Sequence, residues 1–305
     1  MELRHLRYFV AVAEALNFTK ASARLRVAQP ALSRQMTDLE DEIGVDLMKR
    51  SPRGVTLTAE GKLFLDEVRE LLKRADESVE KVRALARGEY GELDVGYAPS
   101  PTVEILPPAL AAFQKTVPRV KVLLHDLASD ELIAGLQNGR LELAIMVQPA
   151  GLTTGIQFEV MRTYPLCVAM TAVHPFARMK SIPLEQLATE PLVVLRRKEY
   201  PESDSYLDRL FASIRAKPSI AVECDSASSL ITEVEAGRGI ALATTIFKLV
   251  AGKRLIYRPL TGTTEVLSVG IARATKGDVT PAGEKFCEIL RRIADGGGVA
   301  RLARS

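Results

Sequence analysis

The chain has 305 residues, of which 47% are hydrophobic and 26% are charged, and its formal net charge is +3 at pH 7. This length fits two or three hydrophobic cores, and no stretch approaches the roughly 20 apolar residues that would span a bilayer. The N-terminus lacks the apolar core of a signal peptide, so we expect a cytoplasmic protein. The net charge is too small to indicate nucleic-acid binding, which has to be judged from the pattern of charges.

The first 58 residues have the pattern of short helices followed by a basic hairpin. Small residues such as Ala21 and Ala28 allow two helices to cross closely. Pro30 suits the first turn of a helix, where no backbone N–H is required, so the second helix of the pair should begin near Gln29. This layout is typical of a winged helix-turn-helix.

The exposed face of that second helix would carry side chains that suit base edges and phosphates. Arg34 can donate two hydrogen bonds to guanine, and Gln29 can pair with adenine in the major groove. A solvated helix face is the alternative for the helix alone, but Arg50 and Arg53 of the hairpin are placed for phosphates and the neighbouring minor groove. The predicted DNA-binding residues are Thr19, Gln29, Pro30, Ala31, Ser33, Arg34, Thr37, Arg50 and Arg53.

The same segment resembles the N-terminal signature of the LysR-type transcriptional regulators. At fixed spacing, the resemblance is carried by Phe18-Thr19, Gln29-Pro30-Ala31-Leu32-Ser33-Arg34-Gln35, Leu39-Glu40, Gly44, Leu47, Arg50 and Leu57-Thr58-Ala59-Glu60-Gly61. Met48 stands where the family more often has Phe, and Glu60 where Ala is common. The resemblance implies a homotetramer, usually a dimer of dimers, that activates transcription from a divergent promoter and represses its own gene.

From Ala59 to Gly88 the sequence predicts one long helix without proline, with Thr58 as its N-cap. Apolar or small residues recur along it at alternating steps of four and three, which is the pattern of a heptad seam. A helix of about thirty residues extends roughly 45 Å, farther than a three-helix head covers, so self-pairing is favoured over packing on its own domain. The predicted dimerisation residues are Phe64, Val68, Leu71, Ala75 and Val82.

A dimer would place two recognition helices near successive major grooves. The expected DNA partner is therefore double-stranded DNA with an interrupted inverted repeat. RNA polymerase is left open as a further partner.

Beyond residue 91, strands alternate with helices, which predicts a mainly parallel sheet with a ligand site at the carboxyl edge of its strands. The expected strands are 93–97, 120–125, 143–147, 166–170, 192–195, 220–224 and 239–243. The expected helices are 103–116, 129–138, 204–215, 226–236 and a closing helix, 281–294.

Crossovers are expected at residues 158–163 and 266–273. Two lobes joined by two crossovers resemble the type 2 periplasmic-binding-protein architecture of the family's effector domains. The predicted fold class is α+β and α/β, with a winged helix-turn-helix at 1–58, a linker helix at 59–90 and an effector domain at 91–305. Lobe I is assigned to 91–162 and 267–305, and lobe II to 163–266.

Hydroxyl side chains fall where predicted strands turn into helices, at Ser100 with Thr102, at Ser129 and at Ser226. Free N–H groups and the helix dipole at such junctions favour an anion. Each hydroxyl alone is better explained as a helix cap, whereas several converging on one cleft would favour a ligand. Arg196 follows a predicted strand and can donate two hydrogen bonds to a carboxylate. We therefore expect a small organic anion as effector, bound by these five residues.

Alternative functions are left open by the sequence. Cys167, Cys224 and Cys287 form no metal-ligand spacing and are expected to be buried apolar residues. A ligand-independent or redox-responsive DNA-binding regulator is nevertheless the second hypothesis. No nucleophile motif, phosphate loop or metal spacing accompanies the three histidines, so an enzyme of two-lobed fold is a distant third, and no metal or cofactor is predicted.

Overall fold

A computed structural model describes residues 1–51, 54–151 and 153–297. The chain divides into two compact units, Met1–Ala84 and Leu85–Ser305. Each unit has its own buried hydrophobic core. Within the described residues, no helix combines the length and the apolar character that crossing a bilayer would need.

The N-terminal part of the chain consists of helices and one β-hairpin. The helices are α1 (Leu3–Ala15), α2 (Phe18–Leu25), α3 (Gln29–Ile43) and the long α4 (Ala59–Ala86). The hairpin pairs β1 (Met48–Ser51) with β2 (Gly54–Leu57) in antiparallel register. Arg53, one of the predicted DNA-binding residues, lies outside the described residues.

Local signals in the sequence set the ends of the helix-turn-helix pair. Asn17 caps α2, because its side chain accepts a hydrogen bond from the backbone N–H of Lys20 at 2.9 Å. Arg26 adopts a left-handed conformation and ends that helix. Pro30 then occupies the first turn of α3, and Gly44 ends α3 with a φ of 81°. The second helix of the pair thus begins at the residue that the sequence predicts.

The first turns of α4 are fixed against the head of the same unit. A Cβ atom at Gly61 would lie 1.8 Å from the backbone oxygen of Leu47, so only glycine allows this approach. Farther along α4, the rings of Phe64 and Phe9 lie 5.1 Å apart, and Val68 is buried. This packing explains why the first unit includes most of the long helix.

The second unit is a mixed α/β structure. Its helices are α5 (Pro99–Thr102), α6 (Leu106–Thr116), α7 (Ser129–Gln137), α8 (Leu184–Leu187), α9 (Pro201–Ser213), α10 (Ala227–Glu235), α11 (Phe247–Ala251) and α12 (Pro281–Arg292), with short helical turns at Pro175–Arg178 and Ile293–Gly297. Its strands are β3 (Gly91–Tyr97), β4 (Val120–Asp126), β5 (Leu143–Val147), β6 (Ile156–Met170), β7 (Ile182–Pro183), β8 (Pro191–Leu195), β9 (Ser219–Cys224), β10 (Ala241–Thr244), β11 (Ile256–Thr261) and β12 (Val266–Ala274).

One sheet runs through both lobes of this unit, in the order β4-β3-β5-β12-β6-β11-β7, with β10 also paired to β6. Strand β3 is parallel to β4 and β5, whereas β12 is antiparallel to β5 and β6. The predicted crossovers at 158–163 and 266–273 lie in β6 and β12, which pair with each other. The expected break before residue 166 is absent from the described chain, because β6 continues unbroken into the second lobe.

The second lobe is built on the far end of β6, which pairs with β10 and β11. A separate parallel pair, β8 and β9, packs with them. The sequence did not predict β11 or the short α5. It also predicted one helix over 103–116, whereas α6 begins at Leu106, because Pro107 is suited to a first turn. With these adjustments, the predicted two-lobed fold is confirmed.

Candidate nucleic-acid interface and ligand cavity

The α3 face presents most of the predicted DNA-binding side chains to solvent. Gln29, Arg34 and Thr37 are exposed along this helix, and Ser33 is half-buried. Arg34 is exposed and makes no hydrogen bond or ion pair with any residue that the structure describes. The remaining exposed members are Thr19 on α2 and Pro30 and Ala31 in the first turn of α3.

Arg50 is hydrogen-bonded within the protein to two of the other predicted DNA-binding residues. Its Nη1 donates to Ser33 Oγ at 3.0 Å, and its Nη2 donates to Thr37 Oγ1 at 2.9 Å and to Glu40 Oε2 at 3.2 Å. The guanidinium also lies 5.2 Å from the ring centroid of Phe18. Arg50 therefore joins the hairpin to α3 and holds two of the predicted DNA-binding hydroxyls.

Glu40 on α3 also holds the hairpin and was not among the predicted site residues. Its Oε1 accepts hydrogen bonds from the backbone N–H groups of Leu47 and Met48, each at 3.0 Å. Hydrogen bonds to a charged acceptor are stronger than neutral ones. Since Oε2 of the same carboxylate binds Arg50, Glu40 fixes both the start of β1 and the cation beyond it.

The predicted dimerisation residues on α4 fall into two groups. Phe64 and Val68 are covered by the head of their own chain, and Val68 is only 2% exposed. Leu71 and Val82 are 46% and 68% exposed, and Ala75 is half-buried. Beyond Val68, the exposed apolar residues of α4 include Val79, which the sequence interpretation missed, and Leu63 is exposed nearer the start of the helix.

The second unit encloses a cavity of about 240 Å³ between its two lobes. The first turns of α7, α9 and α10 contribute to its lining, together with α5 and the ends of β4 and β8. Most of the lining is aliphatic. Polar groups in the lining include Ser100, Asp126, Ser129, Tyr200, Glu202 and Ser226.

The structure brings three of the five predicted effector residues, Ser100, Ser129 and Ser226, to this cavity. Thr102 is buried outside the lining, and its Oγ1 donates to the backbone oxygen of Ala98 at 2.6 Å. This bond within the α5 turn removes the Thr102 hydroxyl from the predicted set.

The predicted cationic contact is also absent from the cavity. The Arg196 side chain is 47% exposed, and its Nη1 lies 3.6 Å from Glu199 Oε1, so the guanidinium pairs at the surface and does not line the cavity. Among all the lining residues that the structure describes, none is Arg, Lys or His. The prediction that Arg196 holds the effector therefore finds no geometric support.

Glu202 is the most unusual group in the lining. It is 5% exposed, and its Oε1 accepts a hydrogen bond from Ser129 Oγ at 2.6 Å. Its Oε2 is buried and has no hydrogen-bond partner among the described residues. Burial raises the pKa of the Glu202 carboxyl, and the negative charge of Asp130 adds to the effect. Because Ser129 belongs to the first lobe and Glu202 to the second, their hydrogen bond joins the two lobes.

Other acidic groups lie close to Glu202. Burial raises the pKa of Asp126, which also lines the cavity. Burial, together with the carboxylates of Asp126 and Glu202, raises the pKa of Tyr200 to about 12. One signal in the sequence could have placed Glu202 at the cavity. Pro201 followed by an acidic residue is typical of a helix start, whereas the sequence analysis predicted that this helix begins at residue 204.

All three cysteines are buried free thiols, as the sequence predicts. Burial raises the pKa of Cys167 to about 12 and that of Cys287 to about 11, and it also raises the pKa of Cys224. A thiol with a raised pKa forms little of the thiolate that reacts with oxidants. These surroundings disfavour the redox-responsive alternative.

Comparisons with known proteins identify the domain that contains each of these two regions. A family model described as the bacterial regulatory helix-turn-helix protein, lysR family, matches residues 3–62, and the LysR substrate binding domain matches residues 86–295. The transcriptional regulator AlsR of Bacillus subtilis strain 168 is 35% identical over 262 residues, which cover 85% of this chain and 86% of that protein. The Hca operon transcriptional activator HcaR of Escherichia coli K12 is 32% identical over 292 residues, which cover 95% and 97%.

Solved structures show the same similarity over the full chain. The crystal structure of CbnR, a LysR family transcriptional regulator, matches with a TM-score of 0.81 and 30% identity, covering 95% of this chain and 100% of that one. The crystal structure of full-length CbnR with its target DNA matches with a TM-score of 0.81 and 31% identity, covering 96% and 100%.

Proposed function

The chain belongs to the LysR family of DNA-binding transcriptional regulators, and we propose that a small effector bound between its lobes controls its activity. The observation that carries this proposal is the enclosed cavity, to which both lobes contribute polar groups. A mostly apolar pocket with a few convergent polar groups is the usual form of a small-molecule site. The hydroxyl groups of Ser100, Ser129 and Ser226 would orient the effector.

The effector that we propose is a small organic anion. Three helices of nine or more residues, α7, α9 and α10, begin at the cavity, and their N-termini favour negative charge. A cavity of about 240 Å³ suits a compact molecule with an apolar body. Since no cationic side chain is found in the described lining, backbone N–H groups and hydroxyls would have to solvate the anion.

On the DNA side, Arg34 and Gln29 are the proposed base-reading residues. Their exposure on α3 and the absence of a protein partner for Arg34 in the described chain support this role. Arg50 would position the hydroxyls of Ser33 and Thr37, while Thr19 and Arg53 would contact phosphates. The proposed operator is an interrupted inverted repeat, read by two copies of the head.

The proposed assembly is a dimer formed through the linker helix, residues 59–90, with two dimers combining into a tetramer. The exposed apolar residues Leu71, Val79 and Val82 support pairing along the part of α4 that its own head leaves uncovered. Such an oligomer would act in the cytoplasm, where DNA and RNA polymerase are found. The proposed effector domain is 91–305, with lobes 91–162 plus 267–305 and 163–266.

Control would follow from a population shift. An effector that binds one arrangement of the lobes more tightly favours that arrangement, in proportion to its differential affinity. A change in how the effector domains pack between subunits would alter the spacing of the paired heads and thus the bend of the DNA. Activation of transcription would be the outcome of that change.

A thermal-shift screen of the full-length chain against small organic acids tests the proposal. A ligand at a hundredfold its Kd stabilises the folded state by about 2.7 kcal/mol, which is measurable. Ala227 lines the cavity at the start of α10, so Ala227→Phe would fill the site and serves as the matched control. A hit should stabilise the wild type alone. Equal stabilisation of the variant would place the ligand elsewhere, and no hit among acids or neutral compounds would favour the ligand-independent alternative.

A further inference from the structure

The proposed effector cavity contains a buried carboxyl group, and no Arg, Lys or His is found in the part of its lining that the structure describes. Glu202 is 5% exposed, its Oε1 is bound by the hydroxyl of Ser129, and its Oε2 has no partner among the described residues. Unpaired buried carboxylates are costly, and such a group relieves the cost by becoming neutral. The chemistry of this cavity depends on which form of Glu202 the effector meets.

The charged groups around Glu202 are mainly acidic. Arg196 and Arg197 are paired with Glu199 at 3.6 Å and Asp204 at 3.2 Å, and neither arginine lines the cavity. Both arginine side chains are also largely solvated, so their charges are screened. The acidic groups on the neighbouring elements include Asp126 at the end of β4, Asp130 and Glu131 on α7, Glu199 just before α9, Asp204 in the first turn of α9, and Asp225 before α10.

An anion cannot bind favourably beside an ionised Glu202, because two like charges would share one small, poorly solvated site. The neutral acid removes this repulsion. It also turns Oε2 from an acceptor without a partner into an O–H donor, while Oε1 keeps the hydrogen bond from Ser129. A carboxylate could then accept a hydrogen bond from Glu202, in addition to the N–H groups at the helix N-termini.

We infer that Glu202 binds the anionic effector as a neutral acid, so that wherever Glu202 is ionised in the free protein it takes up a proton from solvent as the effector binds. The inference rests on the proposed function and adds to it the uptake of a proton by Glu202. One O–H···O hydrogen bond forms between Glu202 and the effector carboxylate, and no covalent bond changes. Because Ser129 and Glu202 lie on different lobes, the protonated pair also helps to hold the lobes together around the effector.

Proton uptake has a measurable signature. The affinity for a carboxylate should fall by up to tenfold per pH unit above the pKa of Glu202 in the free protein. Glu202→Gln supplies a permanent N–H donor of nearly the same shape, and its amide oxygen can still accept from Ser129. The variant should therefore bind the same carboxylate at about pH 8 as tightly as at about pH 6.

Isothermal titration of the full-length chain with a panel of small mono- and dicarboxylates, and with their amides and amines, provides the test. Each titration is run at about pH 6 and about pH 8, in two buffers of different ionisation enthalpy, so that the number of protons taken up is measured directly. Asp126→Asn is the matched control, because Asp126 is the other carboxyl group in the lining. We expect uptake of up to one proton in the wild type and in Asp126→Asn, and none in Glu202→Gln.

The outcomes separate this inference from the proposed function. Carboxylate binding without proton uptake, or uptake that disappears in Asp126→Asn, overturns the role of Glu202 while leaving the cavity as the effector site. Binding of an amine that tightens with pH and weakens in Glu202→Gln overturns the anionic class and assigns Glu202 as an ionised acceptor. If no carboxylate binds, the inference is wrong, and the proposed function fails as well only if no compound of the panel binds.

Discussion

Polar side chains are more exposed on the α3 face than in the cavity of the second unit. On α3, Arg34 is exposed and has no partner among the described residues, and the hydroxyls of Ser33 and Thr37 are held at the surface by Arg50. In the cavity, Ser100, Ser129 and Glu202 are buried, Tyr200 and Ser226 are half-buried, and the lining that the structure describes contains no Arg, Lys or His.

This difference teaches what each site requires of its ligand. DNA brings a high density of negative charge and is attracted at long range, so an open cationic face suffices to collect it. A small effector must enter a site with few charges, where each buried polar group affects selectivity. The proposed DNA-reading residues therefore lie within one head, whereas the proposed effector site depends on both lobes and on the protonation state of Glu202.

The largest expected effect is the loss of a stably folded DNA-binding head while the cavity stays intact. Gly61→Val would force side-chain atoms against the backbone oxygen of Leu47, which a Cβ would approach to 1.8 Å. We expect the first unit to lose about 3 kcal/mol of stability or more. Urea unfolding should show a weakened transition together with loss of DNA binding, while effector binding by titration is retained. Loss of effector binding in parallel would show that the two sites do not fold independently.

Pairing along α4 is expected to show the next largest effect. Val82→Asp places a charge on the exposed apolar stretch of the helix and should weaken dimerisation by about 2 kcal/mol, since buried interface anchors carry energies of this size. Sedimentation equilibrium measures the change. Val68→Ala is the control, because Val68 is buried by its own chain and should affect stability but not dimerisation. A dimer unaffected by Val82→Asp would contradict pairing through this part of α4.

Arg34 provides the test of base reading. Arg34→Ala should weaken operator binding by about 1–3 kcal/mol and relax the sequence preference, because a guanidinium that binds a base edge contributes to discrimination. Arg50→Ala should weaken binding through the displaced hydroxyls of Ser33 and Thr37. Mobility shifts on operator and random DNA at several salt concentrations distinguish the two. Equal losses on both DNAs for Arg34→Ala would count against base reading.

Ser129 in the cavity lining and Arg196 at the surface are tested by the same kind of substitution. Ser129→Ala removes the hydrogen bond to Glu202 and should reduce effector affinity by about 1 kcal/mol, the usual net value of such a bond. Arg196→Ala should leave the affinity unchanged, because Arg196 does not line the cavity. Isothermal titration of both variants measures the effector affinity. A large loss of affinity in Arg196→Ala would show that Arg196 contacts the effector, as the sequence predicted.

The smallest expected effect is on stability without ligand. Because its pKa is raised on folding, the ionised form of Glu202 destabilises the folded state as the pH rises above the usual carboxyl range. Glu202→Gln should therefore equal the wild type at about pH 4 and become the more stable protein toward about pH 8. Thermal melts across this range measure the difference. A variant that is less stable at high pH would mean that the carboxylate is stabilised by a partner.

The sequence predicted the head more completely than the cavity, for a physical reason. Helix ends in the head are set by nearby residues, such as Asn17, Pro30 and Gly44, which act within a few positions. The partners of single side chains were harder to predict from the sequence. The hydrogen bond from Arg50 to Ser33, for example, spans 17 residues and depends on how the hairpin folds back.

The cavity illustrates the limit more strongly. Ser100, Ser129 and Ser226 were found because strand-to-helix junctions are visible in a sequence. Glu202 was missed, since its importance comes from burial and from a hydrogen bond to Ser129, 73 residues away. Arg196 was chosen for its residue type and for its position after a predicted strand, but its side chain pairs with Glu199 at the surface.

The central claim is that occupancy of the cavity changes how the heads hold DNA. Its most direct test is the DNA bend angle, measured by fluorescence energy transfer across the operator for the wild type and for Ala227→Phe, with and without an effector found by the screen. The account predicts equal bends without effector and a change of bend in the wild type only. An identical change in Ala227→Phe, or no change in the wild type at saturating effector, would contradict it.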